Sequence, residues 1–313
     1  MDRKTFAALG AAYTVRPAAA RAQALVPLRL ATAPEEDVVA ALYAQQSGIF
    51  RRLGLELTMT AAVSGSAVAA AVIGGSIDIG KSSLAGLITA HTKGVPFTLI
   101  APAAEYNAAA PMTGTVVRFD SPIRTARELN GKTVSVQSLK GQMQIATMDW
   151  IDRNGGDSST VRFIELPASS VAQALDGRRI DAATFANPEL GDALASKKAR
   201  VLGWSASSIG THYLIAAYFT TIDFARKNAD VVRRFAQGVL EGARYANAHH
   251  AETIDLVANF TKVAPDVIAR MNRVTCGLVL DPREIQPQID ANVKYNVIPA
   301  RFDAREMIFT APR

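Results

Sequence analysis

Polar residues and glycines stand where strand patterns of this sequence give way to helix patterns. Ser64, Gly65 and Ser66 precede the apolar run AVAAAVI, and Ser82 and Ser83 precede LAGLITAH. Hydroxyl groups and unpaired backbone N–H groups at a helix start bind anions, because the helix dipole places partial positive charge there. These turns therefore predict a binding site for a small ligand, above all for one that carries an anionic group.

Two later turns repeat this chemistry. Ser138, Lys140 and Gly141 lead into QMQIATMDWIDRNG, and Asn187 follows the strand pattern IDAATFA. Lys140 adds a formal positive charge beside a predicted helix start, and Tyr213 is an aromatic residue that could stack on a ring. The predicted ligand contacts are Ser64, Gly65, Ser66, Ser82, Ser83, Ser138, Lys140, Gly141, Asn187 and Tyr213. Helix capping without any ligand is the alternative reading of each turn.

Common catalytic and nucleotide-binding motifs are absent from the sequence, which contains no GxGxxG, Walker loop, HExxH, GxSxG or CxxC. The single cysteine, Cys276, excludes an internal disulfide and a multi-cysteine metal site. Among the four histidines, His212 precedes a strand and could face a crevice, whereas His249 and His250 lie on a polar stretch. No pair of carboxylates stands out as an acid–base couple. We therefore expect a binding protein without cofactor or metal.

An internal repeat relates two distant parts of the chain. Residues 68–78 read VAAAVIGGSID and residues 171–181 read VAQALDGRRID, with six of the eleven positions identical. Chance similarity between two alanine-rich helix-to-strand turns is one interpretation. The other is that the chain contains two structurally similar α/β lobes, each with one copy of the phrase.

Strand and helix patterns alternate on both sides of this repeat, which favours an α/β fold with mostly parallel sheets. The pattern YLIAAYF at 213–219 predicts a strand that crosses back between the lobes, and the chain after it is predominantly helical. We predict a discontinuous first lobe of residues 25–113 plus 219–313 and a second lobe of residues 114–218. Since no low-complexity linker separates the lobes, the connection should act as a hinge.

The N-terminal segment, residues 1–24, has the composition of an export signal: basic residues, a short apolar run and the cleavage pattern Ala-Gln-Ala. Its removal would lower the formal net charge from +6 to +3, so the excess of Lys and Arg over Asp and Glu predicts no nucleic-acid partner. No later stretch is apolar for long enough to cross a membrane. The sequence predicts a soluble, exported protein.

Three segments resemble a known family. They are YAQQSGIFRRLGLELTM (43–59), the Ser-Gly helix that ends in GSIDIG, and FARKNADVVRRFAQGVLEGARYANAH (224–249). They are similar to the periplasmic solute-binding components of ABC importers for sulfonates, taurine, nitrate and thiamine-pyrimidine precursors, the SsuA/THI5-like or NMT1-like family. The resemblance implies a type II periplasmic-binding fold whose two lobes close over a ligand. It also implies delivery of that ligand to an ABC permease in the inner membrane, by a protein expected to be a monomer.

Other functions stay open at this point. A cofactor-free enzyme on the same fold, acting on a pyrimidine or menaquinone precursor, is the main alternative. The cysteine-rich motif of the pyrimidine-synthesising members is missing, since Cys276 stands alone. A sensory domain is a third interpretation. The ligand itself is not specified, because sulfonate, nitrate, carboxylate and aromatic heterocycle all fit a serine-lined cleft.

Overall fold

The structure, a computed structural model, describes residues 24–310. Its strands are β1 (Val26–Thr32), β2 (Leu55–Ala61), β3 (Ile79–Ser83), β4 (Phe97–Asn107), β5 (Thr113–Arg118), β6 (Thr133–Val136), β7 (Arg162–Glu165), β8 (Ala182–Ala186), β9 (Ala199–Gly203), β10 (His212–Thr221) and β11 (Thr275–Cys276). Its helices are α1 (Val39–Gln46), α2 (Ile49–Arg52), α3 (Gly65–Ile73), α4 (Leu84–Thr92), α5 (Gln142–Arg153), α6 (Ala168–Asp176), α7 (Glu189–Ala195), α8 (Ile222–Lys227), α9 (Ala229–Ala248), α10 (Ile254–Thr261), α11 (Pro265–Arg270) and α12 (Pro282–Lys294). The predicted leader lies outside the described residues, apart from Ala24.

Two sheets divide these strands. The first has the order β11-β4-β10-β3-β1-β2, in which β1, β2 and β3 are parallel and β10 runs antiparallel to β3 and β4. The second has the order β7-β6-β8-β5-β9, in which β6, β7 and β8 are parallel and β5 is antiparallel to β8. Each sheet and its helices form one lobe, so the predicted α/β fold with two lobes is confirmed.

Helices cover both faces of the first sheet. On one face, Phe50 and Phe235 stack in a cluster that also contains Tyr218 and residues of α1 and α9. On the other, α3, α4 and α12 pack around Phe97 and Phe219. Gly242 of α9 lets two helices approach closely, since a Cβ there would lie 2.1 Å from the carbonyl oxygen of Ala40. The parallel strands are therefore buried on both sides, as such sheets require.

The internal repeat occupies equivalent places in the two sheets. The strand after each copy, β3 or β8, lies between one antiparallel and one parallel neighbour. In each copy the closing aspartate also makes the same pair of hydrogen bonds. The N–H of Asp78 donates to the Arg29 carbonyl while its carboxylate accepts from the Arg29 N–H, and Asp181 does the same with Thr133. The prediction of two structurally similar lobes is thus confirmed.

The chain crosses between the sheets twice, from β4 to β5 and from β9 to β10. Sequence patterns assigned residues 212–218 to the second lobe, but β10 runs in the first sheet over its whole length, beginning with the pair His212 and Asn107. The return crossover that we propose therefore falls before His212. This shift arises because apolar strand residues show that a strand is buried without showing which sheet it joins.

A charged group lies inside the first lobe. The side chain of Lys81, on β3, is 1% exposed, and its Nζ donates to Glu35 Oε2 at 2.7 Å and to Asp37. Burial alone would lower the pKa of Lys81, but the two carboxylates outweigh it and raise the pKa. The ammonium group thus stays charged and ties β3 to the turn that follows β1.

Within residues 24–310, no helix combines the length and the apolar character that a membrane span needs.

Replacing Lys81 by methionine should lower the free energy of unfolding by about 3 kcal/mol, because two carboxylates then lose their counter-charge. This is the lower end of the range for a buried ion pair, since Glu35 is partly exposed. Urea unfolding followed by circular dichroism measures the change. Lys93→Met, at an exposed position after α4, is the matched control. Equal unfolding midpoints for the two variants would contradict this role of Lys81.

Candidate ligand-binding site

The carboxyl ends of the parallel strands in both sheets point toward the two crossovers. In the first sheet, Ser83 ends β3 on the side where β10 begins with His212. In the second, Ala186 ends β8 and pairs with Thr113, the first residue of β5 after the crossover. The two carboxyl edges therefore face the same region between the lobes. Ligands of open α/β sheets bind outside such edges.

The edge of the first sheet is built from serine caps. Ser64, in extended conformation, is the N-cap of α3, and its Oγ accepts from the N–H of Ala67 at 3.2 Å. The Oγ atoms of Ser64 and Ser66 lie 2.9 Å apart. Ser83 caps α4 by accepting from the Gly86 N–H at 3.4 Å. Within residues 24–310, no acceptor takes up the N–H groups of Gly65 and Ser66, so both are available to a ligand.

Gly65 brings α3 close to β3. A Cβ at this position would lie 2.4 Å from Ser82 Oγ, so a larger residue would force the Ser82 hydroxyl to move. Ser82 itself is 6% exposed, and its Oγ has no hydrogen-bond partner among the described residues. The structure therefore brings Ser64, Gly65, Ser66, Ser82 and Ser83 together at one edge, and their contact with a ligand stays a prediction.

The edge of the second sheet holds the start of α5. Gly141 is the N-cap residue, and a Cβ there would lie 3.0 Å from the carbonyl oxygen of Ser138. Lys140 has a positive φ of 59° and an exposed side chain, while its N–H donates to Gln144 Oε1 at 2.6 Å. Ser138 is exposed as well. These three residues lie at or directly before a second helix start, at the carboxyl edge of the second sheet.

Asn187 also lies at this edge, but both ends of its amide are already used. Its Nδ2 donates to the carbonyl oxygen of Asn272 at 3.2 Å, and its Oδ1 accepts from the Gly191 N–H at 3.2 Å. Asn272 in turn donates to the carbonyl oxygen of Pro111 at 2.9 Å. In this conformation Asn187 therefore links the lobes at the crossover and has little capacity left for a ligand.

Tyr213 is placed differently from its predicted role. Its side chain is fully buried, its ring packs 5.1 Å from that of Tyr106, and its hydroxyl donates to the Ala206 carbonyl oxygen at 3.1 Å. Burial raises the pKa of this phenol well above its usual value. No face of the ring can stack on a ligand in this conformation. Trp204, 36% exposed and packed on Gly114, keeps an open aromatic surface near the crossover.

Charged residues at the first edge were missed by the sequence analysis. Glu35, which binds Lys81, has a side chain 59% exposed, while Glu36 is paired with the buried Arg273. Burial raises the pKa of Glu36 in spite of Arg273. The run Glu-Glu-Asp directly after a buried strand was the available signal, since acidic residues are common in the first turn of a helix. The buried cations that pair with this run, Lys81 and Arg273, can be recognised only in the folded structure.

Comparison with solved structures shows the same architecture. The aliphatic sulphonate-binding protein SsuA from Escherichia coli has a TM-score of 0.74 and is 19% identical, covering 92% of this chain and 93% of its own. SsuA from Xanthomonas axonopodis pv. citri, bound to MOPS, scores 0.72 at 17% identity and 92% and 99% coverage. A variant of the desulfurization enzyme DszB with biphenyl-2-sulfinic acid scores 0.67 at 15% identity and 90% and 96% coverage. These likenesses establish the periplasmic-binding-protein fold.

No curated protein matches the sequence at a significant level. A family profile does match: the family described as NMT1/THI5 like aligns with residues 35–253, which is more than half of the chain. The matched region contains the GIFRRLGLELTM segment, the turn GSIDIG and the helix that follows Phe224. The family that these segments predicted is therefore confirmed, and this chain belongs to the NMT1/THI5-like family.

Proposed function

We propose that this protein is the periplasmic solute-binding component of an ABC importer and captures a small anionic ligand between its two lobes. The observation that carries the proposal is the placement of two helix starts, α3 and α5, on sheet edges that face the same region. Each helix start presents backbone N–H groups and serine hydroxyls. Such groups bind an anion without needing a dedicated metal or cofactor.

Closure of the lobes supplies the mechanism. A ligand that contacts Gly65, Ser66 and Ser82 on one side and Lys140 and the start of α5 on the other binds most tightly when the lobes are close. Its differential affinity for the closed state shifts the population toward that state. A permease in the inner membrane would then recognise the closed form. The two crossovers, anchored by β4 and β10, are the segments that would bend.

The chemistry of the site favours a sulfonate-like anion. A tetrahedral oxyanion offers three acceptor oxygens, which suits several N–H and hydroxyl donors that converge from two sides. Two structurally similar proteins are sulfonate-binding proteins by their descriptions, and one of them was solved with MOPS. Nitrate, taurine and simple carboxylates carry the same type of acceptor and remain candidates within this proposal.

An enzyme on the same fold is the second candidate, because a desulfurization enzyme shares the architecture. The only thiol of the sequence argues against nucleophilic sulfur chemistry here. Cys276 is 1% exposed, and burial raises the pKa of its thiol to about 12. Release of sulfite or sulfate from an arylsulfinate or sulfonate by the purified protein would favour the enzyme over the receptor.

Cellular location and assembly belong to the same proposal. Residues 1–24 would direct export and be removed, leaving Leu25 as the first residue of a monomeric periplasmic protein. The lobe boundaries that we propose follow the sheets: the first lobe takes the residues on either side of 108–211, and the second lobe lies within that range. N-terminal sequencing of the exported protein tests the cleavage site.

Substitutions at the two edges should weaken ligand binding. Ser66→Ala removes one hydroxyl donor and should raise the dissociation constant roughly tenfold, while Lys140→Ala should raise it roughly tenfold to a hundredfold for an anion and little for a neutral ring. Calorimetric titration with sulfonates, carboxylates, nitrate and pyrimidines measures these changes.

Lys197→Ala is the matched control for Lys140, because Lys197 is also exposed and also has a positive φ, of 54°. Its dissociation constant should equal that of the unaltered protein. Unchanged affinity in both Ser66→Ala and Lys140→Ala, for whichever ligand binds, would mean that the ligand occupies another part of the molecule.

Ligand binding should also change the environment of Trp204, which lies beside the crossover, more than that of Trp150, which packs under Gly203. We expect the tryptophan emission to shift on titration with ligand, and the shift to disappear in Trp204→Phe but persist in Trp150→Phe. Small-angle scattering should show a smaller radius of gyration with ligand. A ligand bound by calorimetry with no change in either measurement would contradict closure.

A further inference from the structure

Three side chains with metal-binding atoms meet beside the crossover. His212 begins β10, Glu105 lies near the end of β4, and Glu284 lies in the first turn of α12. His212 Nε2 is 2.8 Å from Glu105 Oε2, and His212 Nδ1 is 3.4 Å from Glu284 Oε1. One ligand atom from each residue lies within 4.8 Å of the other two. The cluster shares no residue with the serine-lined edges described above.

The buried carboxylate oxygens of this cluster have few hydrogen-bond donors. The Glu105 side chain is 7% exposed, and its Oε1 accepts only a long hydrogen bond of 3.3 Å from the Leu278 N–H. Glu284 Oε2 is inaccessible to solvent and has no hydrogen-bond partner among residues 24–310. Burying a carboxylate oxygen without a partner is unfavourable, and such atoms call for a specific explanation.

The imidazole alone cannot satisfy both carboxylates. A neutral histidine has one N–H donor, so only one of its two ring nitrogens can donate. Here each ring nitrogen faces a different carboxylate. The arrangement needs a further proton or positive charge, which can be a second proton on the imidazole, a proton on one of the two carboxylates, whose pKa values burial raises, or a metal cation.

We propose that Glu105, His212 and Glu284 bind one divalent transition-metal ion, with Zn²⁺ as the best-suited cation. One imidazole nitrogen and two carboxylate oxygens are Zn²⁺ ligands, and a water molecule would fill the fourth position. Tetrahedral ligands about 2.0–2.2 Å from the metal lie roughly 3.4 Å from one another. His212 Nε2 and Glu105 Oε2, now 2.8 Å apart, would therefore separate, and Glu284, which now faces Nδ1, would turn toward the same ring nitrogen. His212 is 45% exposed, which gives the ion a path from solvent. This metal site goes beyond the proposed solute-binding function.

Zinc binding to the whole protein tests the proposal. Protein treated with chelator and exchanged into metal-free buffer is titrated with Zn²⁺ in a calorimeter, and the bound metal is counted by mass spectrometry. We expect one equivalent of Zn²⁺ and a higher melting temperature with Zn²⁺ than without. His212→Ala should abolish binding, and the isosteric Glu284→Gln should weaken it by roughly tenfold to a hundredfold or more.

The control is the double substitution His249→Ala with His250→Ala, which removes two exposed histidines outside the cluster. This variant should still bind one equivalent of Zn²⁺. If His212→Ala does not fold, Glu284→Gln decides by the same measurement. Absence of bound Zn²⁺ in the unaltered protein, or equal binding in Glu284→Gln, would overturn the proposal and leave a bound proton as the group that bridges the three side chains. Loss of binding only in the control would show an adventitious surface site and would overturn it as well.

Discussion

The ammonium group of Lys81 is the constraint on which the first lobe depends. It pairs with Glu35 and Asp37, so β3 cannot shift along its neighbours without leaving the buried Lys81 and the mostly buried Asp37 unpaired. Successive side chains of a strand point to opposite faces. Holding Lys81 toward the face covered by α1 and α9 therefore directs Ser82 toward Gly65 on the other face. The ion pairs of Lys81 thereby fix the register of β3, and this register places the Ser82 hydroxyl at the candidate site.

The division of charge between the two edges follows from this arrangement. At the first edge, Lys81 and Arg273 pair with Glu35, Asp37 and Glu36, so the hydrogen-bond donors left for a ligand are uncharged. At the second edge, Lys140 is exposed and projects from a backbone with positive φ. An anion between the lobes would therefore meet uncharged hydrogen-bond donors at the first edge and the formal charge of Lys140 at the second. This asymmetry is consistent with discrimination by shape and by charge in one cleft.

Much of the fold could be predicted from the sequence, because its signals are local. The repeat ending in Ile77-Asp78 and Ile180-Asp181 marks a turn whose aspartate hydrogen-bonds to the neighbouring parallel strand, β1 or β6, and the same bonds recur in both lobes. Serine before an apolar run marks a cap wherever it occurs. The grouping of Ser64 with Ser82 followed from these patterns together with the parallel order of the strands.

Other features depended on partners far away in the chain. Lys81 stands directly before Ser82 and Ser83 in the sequence, and only the fold places it opposite Glu35; Asn187 likewise proved to be engaged by Asn272. Tyr213 has the same local sequence context whether its ring is buried or faces a cleft. The sheet to which β10 belongs likewise depends on its pairing with Asn107 and its neighbours, which no periodicity encodes.

The second lobe leaves and re-enters the first through neighbouring positions. His212 pairs directly with Asn107, so the chain ends on either side of residues 108–211 lie one strand spacing apart, about 5 Å. Within the second sheet, Thr115 pairs with Gly203, so its own two ends also lie side by side. The second lobe thus has the form of an insertion that a short turn could replace. Because the chain crosses between the lobes only twice, recombination at two points could replace the second lobe by another domain. The first lobe would then face a different surface across the cleft.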